Sequence, residues 1–337
     1  MDQVAVVILN WNGEEMLRRF LPGVLRYTKG RVYVADNASS DGSVAMLSRE
    51  FPTVDIILLD RNYGFADGYN RALEQIEAEY YVLLNSDVEV KDDWLVPMIR
   101  YMEMHPDVAA CQPKIRSWHV PERFEYAGAA GGYVDALGYP YCRGRIFDTV
   151  ETDGGQYDAV VPVFWATGAA LMVRSKVYHE NGGLDGRFFA HMEEIDFCWR
   201  LRSRGYGIVC IPEAVVFHVG GGTLPKENPR KTYLNFRNNL YMLYKNLPEA
   251  RLKPVMRRRF WLDRLAAFQF FLKGEWRSSQ AIFRAWADFR KHKELFSPDR
   301  RENLKRMVVD PIPEQARFSI LWSFYAKRRK KYSELSD

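Results

Sequence analysis

The chain has 337 residues, of which 47% are hydrophobic and 27% are charged. These proportions are typical of a globular protein and exclude an extended disordered chain. The net charge of +5 is compatible with an anionic ligand or an anionic membrane surface, but it is too small to indicate nucleic-acid binding. The four cysteines form no Cys-x-x-Cys pair, which excludes a zinc-binding spacing and favours reduced thiols.

The N-terminal segment has an acidic residue at position 2 and no basic stretch, so we expect a first core strand there and not a signal peptide. No apolar run approaches the roughly 20 residues of a membrane-spanning helix. We therefore expect a cytoplasmic protein.

Short apolar strands alternate with helices over the first 90 residues. The predicted strands are 4–9, 31–35, 55–59 and 80–84, and the predicted helices between them are 14–27, 44–51 and 69–79. This alternation predicts an α/β fold with a mainly parallel sheet, right-handed crossovers and helices on both faces. No Gly-x-Gly-x-x-Gly follows the first strand and no P-loop motif occurs, which disfavours a dinucleotide-binding protein or a P-loop enzyme.

A polar cluster follows each of these strands, at residues 10–13, 36–43, 60–68 and 85–87. Because the carboxyl ends of parallel strands meet at one edge of a sheet, we expect the clusters to form one ligand site. Asp87 would then lie where a metal or a sugar nucleotide binds. Asn85, Ser86 and Asp87 alone are equally compatible with an ordinary turn.

The pattern is less regular in the middle of the chain. We predict a helix over 93–104, a strand over 108–112 and an irregular segment over 117–158, whose length suggests a lid or a substrate-binding excursion. An acidic helix start follows at 191–201, and two short strands at 206–211 and 214–217 precede His218 and the glycines 220–222.

The composition shifts after residue 225, so we predict a catalytic domain over 1–225 and a helical region over 226–337. A helix over 231–247 is followed by an amphipathic helix over 257–272. Its apolar residues follow the cations Arg257, Arg258 and Arg259, and they are Phe260, Trp261, Leu265, Phe268, Phe271 and Leu272. Such a helix lies in a membrane interface or packs on the domain or another subunit, and the pattern leaves both open. A basic run at 327–331 would add attraction to anionic lipid.

A set of motifs occurs in a characteristic order between residues 6 and 223. They are VVILNWN, ADNASSDGS, NYGFADGYN, LLNSDVEV, TGAALMVR, GGLDGRFFAHMEEIDFCWRLRSRGY and VFHVGGGT, and NFRNNLYMLYKN follows at 235–246. The ordered set resembles the inverting family 2 glycosyltransferases of the GT-A fold, especially the bacterial rhamnosyltransferase-like branch. The resemblance implies transfer of a sugar, with inversion, from a nucleotide-diphosphate donor to an acceptor hydroxyl.

The resemblance also implies a divalent metal, Mg²⁺ or Mn²⁺, that neutralises the diphosphate leaving group. Asp87 matches the last position of the family's Asp-x-Asp motif, and here Asn85 occupies the first position, so the site carries less charge. His218 matches the family's late histidine and is the second expected ligand or a diphosphate contact, since Mn²⁺ also accepts imidazole. A buried core histidine is the alternative.

The acidic motif at the predicted helix start matches the family's general base. Glu194 matches the base position, with Glu in place of the usual Asp; Glu193 is the second candidate, and Asp196 would orient the loop or contact the acceptor. The alternative is that these acids only interact favourably with the helix N-terminus.

The resemblance assigns the donor site to residues that follow the first four strands. They are Asn10, Asp36, Asn37, Arg61, Asn62, Gly64, Gly68, Asn70, Asn85 and Ser86. The implied acceptor is a lipid-linked or cell-surface glycan at the inner face of the plasma membrane. Four further residues are candidates for the acceptor cleft or for core and salt-bridge positions: Phe188, Trp199, Arg200 and Arg202.

Two other functions share parts of this pattern. A sugar-phosphate nucleotidyltransferase has the same sheet, but it needs a Gly-rich loop with Lys or Arg after the first strand, and residues 10–13 lack that loop. A catalytically inactive nucleotide-sugar-binding scaffold would be favoured by loss of the acidic motif, but the acids at 193, 194 and 196 are present.

Overall fold

The computed structural model describes residues 2–220 and 228–335. The strands are β1 (Asp2–Asn10), β2 (Arg31–Asp36), β3 (Asp55–Leu58), β4 (Ala78–Asn85), β5 (Val88–Val90), β6 (Val108–Ser117), β7 (Gly132–Val134), β8 (Pro140–Cys142), β9 (Arg145–Ile146), β10 (Thr149–Val150), β11 (Val161–Pro162), β12 (Ala170–Arg174) and β13 (Gly207–His218). The helices are α1 (Glu14–Tyr27), α2 (Ser43–Glu50), α3 (Gly64–Leu73), α4 (Val96–Met104), α5 (Ser175–Glu180), α6 (Glu193–Ser203), α7 (Pro229–Asn246), α8 (Glu249–Leu272), α9 (Trp276–His292) and α10 (Ser297–Arg306).

Nine of the described strands form the central sheet, in the order β11-β13-β6-β12-β4-β1-β2-β3, with β5 paired to β13. Strands β4, β1, β2 and β3 are parallel, as the alternating pattern predicts. β12 runs antiparallel between β4 and β6. The mainly parallel sheet with helices on both faces confirms the predicted fold class.

The alternation of side chains along β1 explains why helices cover both faces. Val6 and Ile8 belong to a core that α1 and α4 cover, whereas Ala5 and Val7 belong to a second core on the other face. α3, α6 and α7 cover that second face, and Leu240 of α7 is buried in it. Burying both faces favours the near-continuous apolar strands of the sequence.

Several predicted elements differ from the structure. The helix predicted at 257–272 begins earlier, at Glu249, and the strand predicted at 108–112 extends to Ser117. α3 begins at Gly64 and not at residue 69, because the polar cluster forms the first turn of the helix. The strands predicted at 206–211 and 214–217 are one strand, β13, with an irregular register between Ile211 and Val215. The segment 117–158 is not wholly irregular, because it contains the four-stranded antiparallel sheet β10-β9-β8-β7.

The C-terminal residues pack on this small sheet. The amide of Ala316 donates to the carbonyl of Val134 at 2.9 Å, and the amide of Ile320 donates to the Asp135 carboxylate at 2.8 Å. The predicted domain boundary at residue 225 lies outside the described residues, so the two-domain division stays a prediction. Within the described ranges, no helix has the length and apolar content needed to cross a membrane.

Candidate active site

The sheet brings the ends of β4, β12 and β13 together. The amide of Asn85 donates to the carbonyl of Ala169, at the start of β12, at 3.0 Å. β5 pairs with β13 in a register that sets Val88 opposite His218. Asp87, one residue before Val88, therefore lies beside His218, although the two residues are 131 positions apart.

Asp87 and His218 form a buried ion pair. Asp87 Oδ1 lies 3.1 Å from His218 Nε2, and Asn85 Nδ2 lies 3.3 Å from the same nitrogen. On the other side of the imidazole, Nδ1 lies 3.3 Å from the carboxylate of Glu125. Burial alone lowers the pKa of His218, but the hydrogen bond to Asp87 and the nearby Glu125 carboxylate outweigh burial and raise this pKa to about 10. Burial alone raises the pKa of Asp87. The hydrogen bond to His218 outweighs burial, so the pKa of Asp87 is lowered.

This arrangement fits a divalent metal. Neighbouring ligands of an ion with bonds of about 2.1 Å lie roughly 3 Å apart, which matches the separation of Asp87 Oδ1 and His218 Nε2. The Glu125 carboxylate lies 3.3 Å from the far nitrogen of the imidazole, on the side where outer carboxylates orient metal-bound histidines, but the two atoms do not form a hydrogen bond. Only two protein ligands converge here, and no group of three or more His, Cys, Asp or Glu residues that could hold a metal occurs in residues 2–220 and 228–335.

The predicted donor residues after β1 and β2 lie in contact. Asn10 is fully buried, and its Nδ2 donates to Asp36 Oδ1 at 3.0 Å and to Ser39 Oγ at 3.1 Å. A methyl group placed on Gly13 would lie 3.5 Å from Ser86 Oγ, so the loop after β1 passes close to the loop after β4. The first, second and fourth polar clusters therefore meet at one edge of the sheet.

Asn37 joins the loop after β2 to the loop after β3. Its Nδ2 donates to Asn62 Oδ1 at 3.2 Å and to the Gly64 carbonyl at 2.9 Å, and its Oδ1 accepts from the Tyr63 amide at 2.9 Å. Gly68 closes the same contact, because a methyl group there would lie 3.1 Å from Asn37 Nδ2. Asn37, Asn62 and Gly68 thus shape the pocket wall through the protein's own hydrogen bonds.

The structure gives two predicted donor residues other surroundings. Arg61 is exposed, with its guanidinium 4.7 Å from the centre of the Tyr63 ring. Asn70 turns toward α5: its Nδ2 donates to the Leu184 carbonyl at 2.8 Å, and its Oδ1 accepts from the Tyr178 hydroxyl at 2.6 Å. Both groups of the Asn70 amide are occupied, so this side chain ties α3 to the segment after α5.

The acidic motif places two unpaired carboxylates at the start of α6. Glu193 is buried and Glu194 half-buried, and one oxygen of each lacks a hydrogen-bond partner among the described residues. Burial raises the pKa of both, with the Glu194 charge raising that of Glu193 further. Glu194 Cβ lies 3.8 Å from the position of a methyl group on Gly168, two residues before Ala170 begins β12. Glu194 is therefore the more accessible base at the edge that holds Asn85.

Asp196 has a different environment from the two glutamates. Its carboxylate accepts from Lys245 Nζ at 2.7 Å, from Asn246 Nδ2 at 2.8 Å and from Arg200 Nε at 3.1 Å. With these partners Asp196 holds α6 against α7. Phe188 and Trp199 are buried, and Arg200 is bonded to Asp196, so these three residues have core and salt-bridge positions. Arg202 likewise pairs with Glu314.

The loop before α6 is held in an unusual conformation. Phe189, His191 and Met192 have φ values of 66°, 70° and 74°, in the left-handed region that non-glycine residues avoid. Asn238 of α7 is fully buried, and its Nδ2 lies within hydrogen-bond distance of three carbonyls of this loop: Phe188 at 3.0 Å, Ala190 at 2.9 Å and His191 at 2.7 Å.

The same loop contacts the donor side. A methyl group on Gly64 would lie 2.6 Å from the Phe189 ring, and Gly64 itself has a φ of 76°. The Phe65 amide donates to the Phe189 carbonyl at 2.7 Å. Glycine at position 64 is therefore required both by its backbone conformation and by this close approach.

Two site residues were missed in the sequence. Glu125 lies in the segment predicted as irregular, where no periodicity marks it. Asn238 lies in the motif NFRNN, whose polar side chains interrupt a helix and could have indicated a buried hydrogen-bonding role. Of the predicted glycines after His218, Gly220 has a φ of 71° and adjoins Glu125, whereas 221 and 222 lie outside the described residues.

The fold is the GT-A fold of glycosyltransferases. Two solved structures share the fold. S. aureus TarS 1–349 in complex with UDP-GlcNAc has a TM-score of 0.52 and 15% identity, covering 90% of this chain and 89% of that one. GalNAc-T7 with UDP, GalNAc and Mn²⁺ has a TM-score of 0.59 and 14% identity, covering 73% of this chain and 48% of that one.

Sequence comparison points to the same class. The model of glycosyl transferase family 2 matches residues 5–148. The N-acetylglucosaminyl-diphospho-decaprenol L-rhamnosyltransferase of Mycobacterium tuberculosis is 27% identical over 237 residues, which cover 64% of this chain and 76% of that protein. The chain is a glycosyltransferase whose N-terminal part is similar to glycosyl transferase family 2.

Proposed function

We propose that the chain transfers a sugar from a nucleotide-diphosphate donor to a hydroxyl of a lipid-linked glycan. The observation that carries the proposal is the meeting, at one sheet edge, of the Asp87–His218 pair with the unpaired Glu194 carboxylate. The Asp87–His218 pair is suited to contact the diphosphate of the donor, and the Glu194 carboxylate is suited to accept a proton from the acceptor hydroxyl.

In the proposed reaction Glu194 accepts the proton of the acceptor hydroxyl, whose oxygen forms a bond to the anomeric carbon from the face opposite the leaving group. The bond between that carbon and the diphosphate oxygen breaks, and the nucleoside diphosphate leaves with the electron pair. Asp87 and His218 are the candidate ligands of a divalent metal. When bound, such a metal would neutralise the negative charge of the diphosphate leaving group. Burial raises the pKa of Glu194 to about 7, which suits a general base near neutral pH.

Asp36 and Asn10 are proposed to face the nucleoside, since they follow β2 and β1 at the edge where α/β folds bind ligands. Asn37, Asn62, Gly64 and Gly68 build the adjoining wall. The relatives and neighbours carry different sugars and nucleotides in their names, so the proposal stops at a nucleotide-diphosphate sugar.

The proposed acceptor is lipid-linked because the mycobacterial relative is named for such an acceptor. One face of α8 supports work at a membrane surface. Trp261, Leu265, Phe268 and Leu272 are spaced at helical intervals and between 56% and 69% exposed, and the exposed cations Arg257 and Arg258 precede them. Two residues of the predicted amphipathic face lie elsewhere: Arg259 is buried against Asp263, and Phe260 packs on Trp286. We propose that the exposed stripe rests in the inner face of the plasma membrane, with lipid as its occupant.

The donor site is tested by thermal shift with UDP-, dTDP- and GDP-sugars, with and without Mn²⁺. A nucleotide sugar that binds the folded state raises the melting temperature. We expect one nucleotide to stabilise the wild type more strongly with metal, and Asp87→Ala to abolish the metal-dependent part. Absence of a shift with every nucleotide sugar would remove the main support for the proposal.

The membrane surface is tested by sedimentation with anionic and zwitterionic vesicles. We expect salt-sensitive binding to anionic vesicles that Trp261→Ser/Phe268→Ser abolishes. The matched control, Leu295→Ser/Val308→Ser, removes exposed apolar side chains elsewhere and should bind like the wild type. If the stripe instead joins two copies of the chain, the first variant will convert a wild-type dimer to a monomer without vesicles present.

A further inference from the structure

A cationic cleft lies between the N-terminal halves of α7 and α9. It has a volume of about 730 Å³, and four arginines line it: Arg230 and Arg237 from α7, and Arg277 and Arg284 from α9. We call it the arginine cleft. Phe189, Tyr233 and Trp276 supply aromatic walls.

The four guanidinium groups are not neutralised by the protein. Among the described residues none of them forms an ion pair with a carboxylate. Other arginines of this part of the molecule do have carboxylate partners: Arg187, Arg202, Arg251 and Arg300. Asp288, which accepts a hydrogen bond from the Tyr233 hydroxyl at 2.5 Å, forms no ion pair with these four arginines among the described residues. Four like charges around one cavity repel one another, and an anionic ligand relieves that repulsion.

The cleft shares a wall with the candidate active site. Arg230 lies 5.2 Å from the centre of the Phe189 ring, and the Phe189 carbonyl accepts from the Phe65 amide on the donor side. Phe189 precedes Glu194 by five residues in the loop that Asn238 holds. A group bound among the arginines is therefore held next to the loop that carries the candidate base.

The cleft adjoins the exposed apolar stripe through Trp276. Trp276 begins α9, lines the cleft and is 51% exposed, and Leu272, which ends α8, is 69% exposed. A turn of three residues, with Gly274 at a φ of 79°, connects the two helices. The cleft therefore contacts the loop before α6 at Phe189 and lies close in the chain to the apolar stripe at Trp276.

We infer that the arginine cleft binds the diphosphate of a lipid-linked acceptor, with its lipid directed toward the stripe on α8 and its sugar toward Glu194. The planar guanidinium group forms paired hydrogen bonds to phosphate oxygens, and several such groups hold a diphosphate better than a single charge does. This inference rests on the proposed function, because it specifies the acceptor of the same site.

The test uses the full chain and geranyl diphosphate as a short, soluble lipid diphosphate. Its binding is measured by calorimetry in the presence of saturating UDP and Mn²⁺, so that the donor site is occupied. Arg277→Gln/Arg284→Gln removes two exposed cleft charges, and Lys291→Gln/Arg301→Gln removes the same charge from exposed positions outside it. We expect the first variant to weaken binding about tenfold or more, from two lost charge-assisted contacts, and the second to bind within about twofold of the wild type.

Four results would overturn the inference. Equal weakening by both variants would show general charge attraction. Binding of geranyl diphosphate that occurs without UDP and disappears at saturating UDP would place it in the donor site. Inorganic pyrophosphate that binds as tightly as geranyl diphosphate would show a free phosphate site, without a role for the lipid. A wild type that shifts with a nucleotide sugar but does not bind geranyl diphosphate would refute this inference alone, whereas loss of the nucleotide shift would refute the proposed function.

Discussion

Asn238→Ala should show whether the position of the loop before α6, residues 189–192, affects catalysis separately from its effect on the stability of the fold. A left-handed backbone costs roughly 1–2 kcal/mol for a non-glycine residue, so Phe189, His191 and Met192 together store about 3–6 kcal/mol. The two N–H groups of Asn238 Nδ2 are shared among three carbonyls of the loop and oppose that strain. At about 1 kcal/mol net for each N–H, Asn238→Ala removes a restraint of roughly 2 kcal/mol, close to the lower end of the strain.

We expect Asn238→Ala to lower kcat by at least about tenfold, which corresponds to a shift of about 1.4 kcal/mol in the barrier, because a relaxed loop displaces Glu194 from the acceptor hydroxyl. The assay is release of nucleoside diphosphate at saturating donor and acceptor, well below the melting temperature. Asn239→Ala is the matched control: Asn239 is its buried neighbour, its amide donates to the Gly138 carbonyl at 2.7 Å, and its contact with the loop is a weak one to Met192 Sδ at 4.0 Å. Both variants should lose stability, and Asn238→Ala should lose turnover in addition.

The reasoning is refuted if Asn238→Ala keeps the wild-type kcat although its melting temperature has fallen. It is refuted equally if Asn239→Ala loses turnover to the same extent, since the loss would then follow general destabilisation.

Further predictions concern the candidate base, its pKa, the close contact at Gly64 and the metal. Glu194→Gln should lower kcat about 10²- to 10⁴-fold without changing the nucleotide-sugar thermal shift, and Glu193→Gln should have the smaller effect; the reverse order would reassign the base. Burial raises the pKa of Glu194 from 4.5 to about 7, so activity should rise as the pH increases through 7. Stability should fall as the pH rises from 4.5 to 7, because the folded chain there holds a proton that the unfolded chain has released. A single-turnover rate that is independent of pH over this range would contradict this prediction. Gly64→Ala should destabilise the fold by about 1–3 kcal/mol in urea unfolding, because its methyl group meets Phe189, and an unchanged midpoint would exclude the contact. Chelation with EDTA should remove most of the donor shift in the wild type but leave Asp87→Ala unaffected, and equal losses would place the metal elsewhere.

The sheet could be predicted from the sequence because its determinants are local. Apolar runs of strand length alternate with helical spacing, and α1 spans Glu14–Tyr27, the residues that its periodicity predicts. The polar clusters also follow directly from their positions, since each comes after a strand. Asn10 and Asp36 meet for this reason, although 26 residues separate them.

Other parts of the site depend on long-range contacts that no local pattern records. Glu125 reaches His218 only because β13 lies beside β6 and the segment after β6 folds back over it. Arginine side chains are usually exposed. Arg259 is buried because Asp263, one helical turn away, forms an ion pair with it. The sequence pattern therefore predicted the helix α8 correctly but assigned Arg259 and Phe260 to the wrong face of it.

The arrangement of contacts around Phe189 explains why one loop matters to both substrates. Gly64 and the Phe65 amide fix its donor-facing side, Arg230 lies over its ring in the arginine cleft, and Asn238 secures the backbone on either side of it. Because these contacts come from separate elements and restrain a strained backbone, the loop has one favoured position before either ligand binds. If Glu194 is the base, preorganisation of this kind places it for catalysis at no further entropic cost when the acceptor arrives. The strain that the fold tolerates at Phe189, His191 and Met192 would then be the cost of setting the proposed base between donor and acceptor.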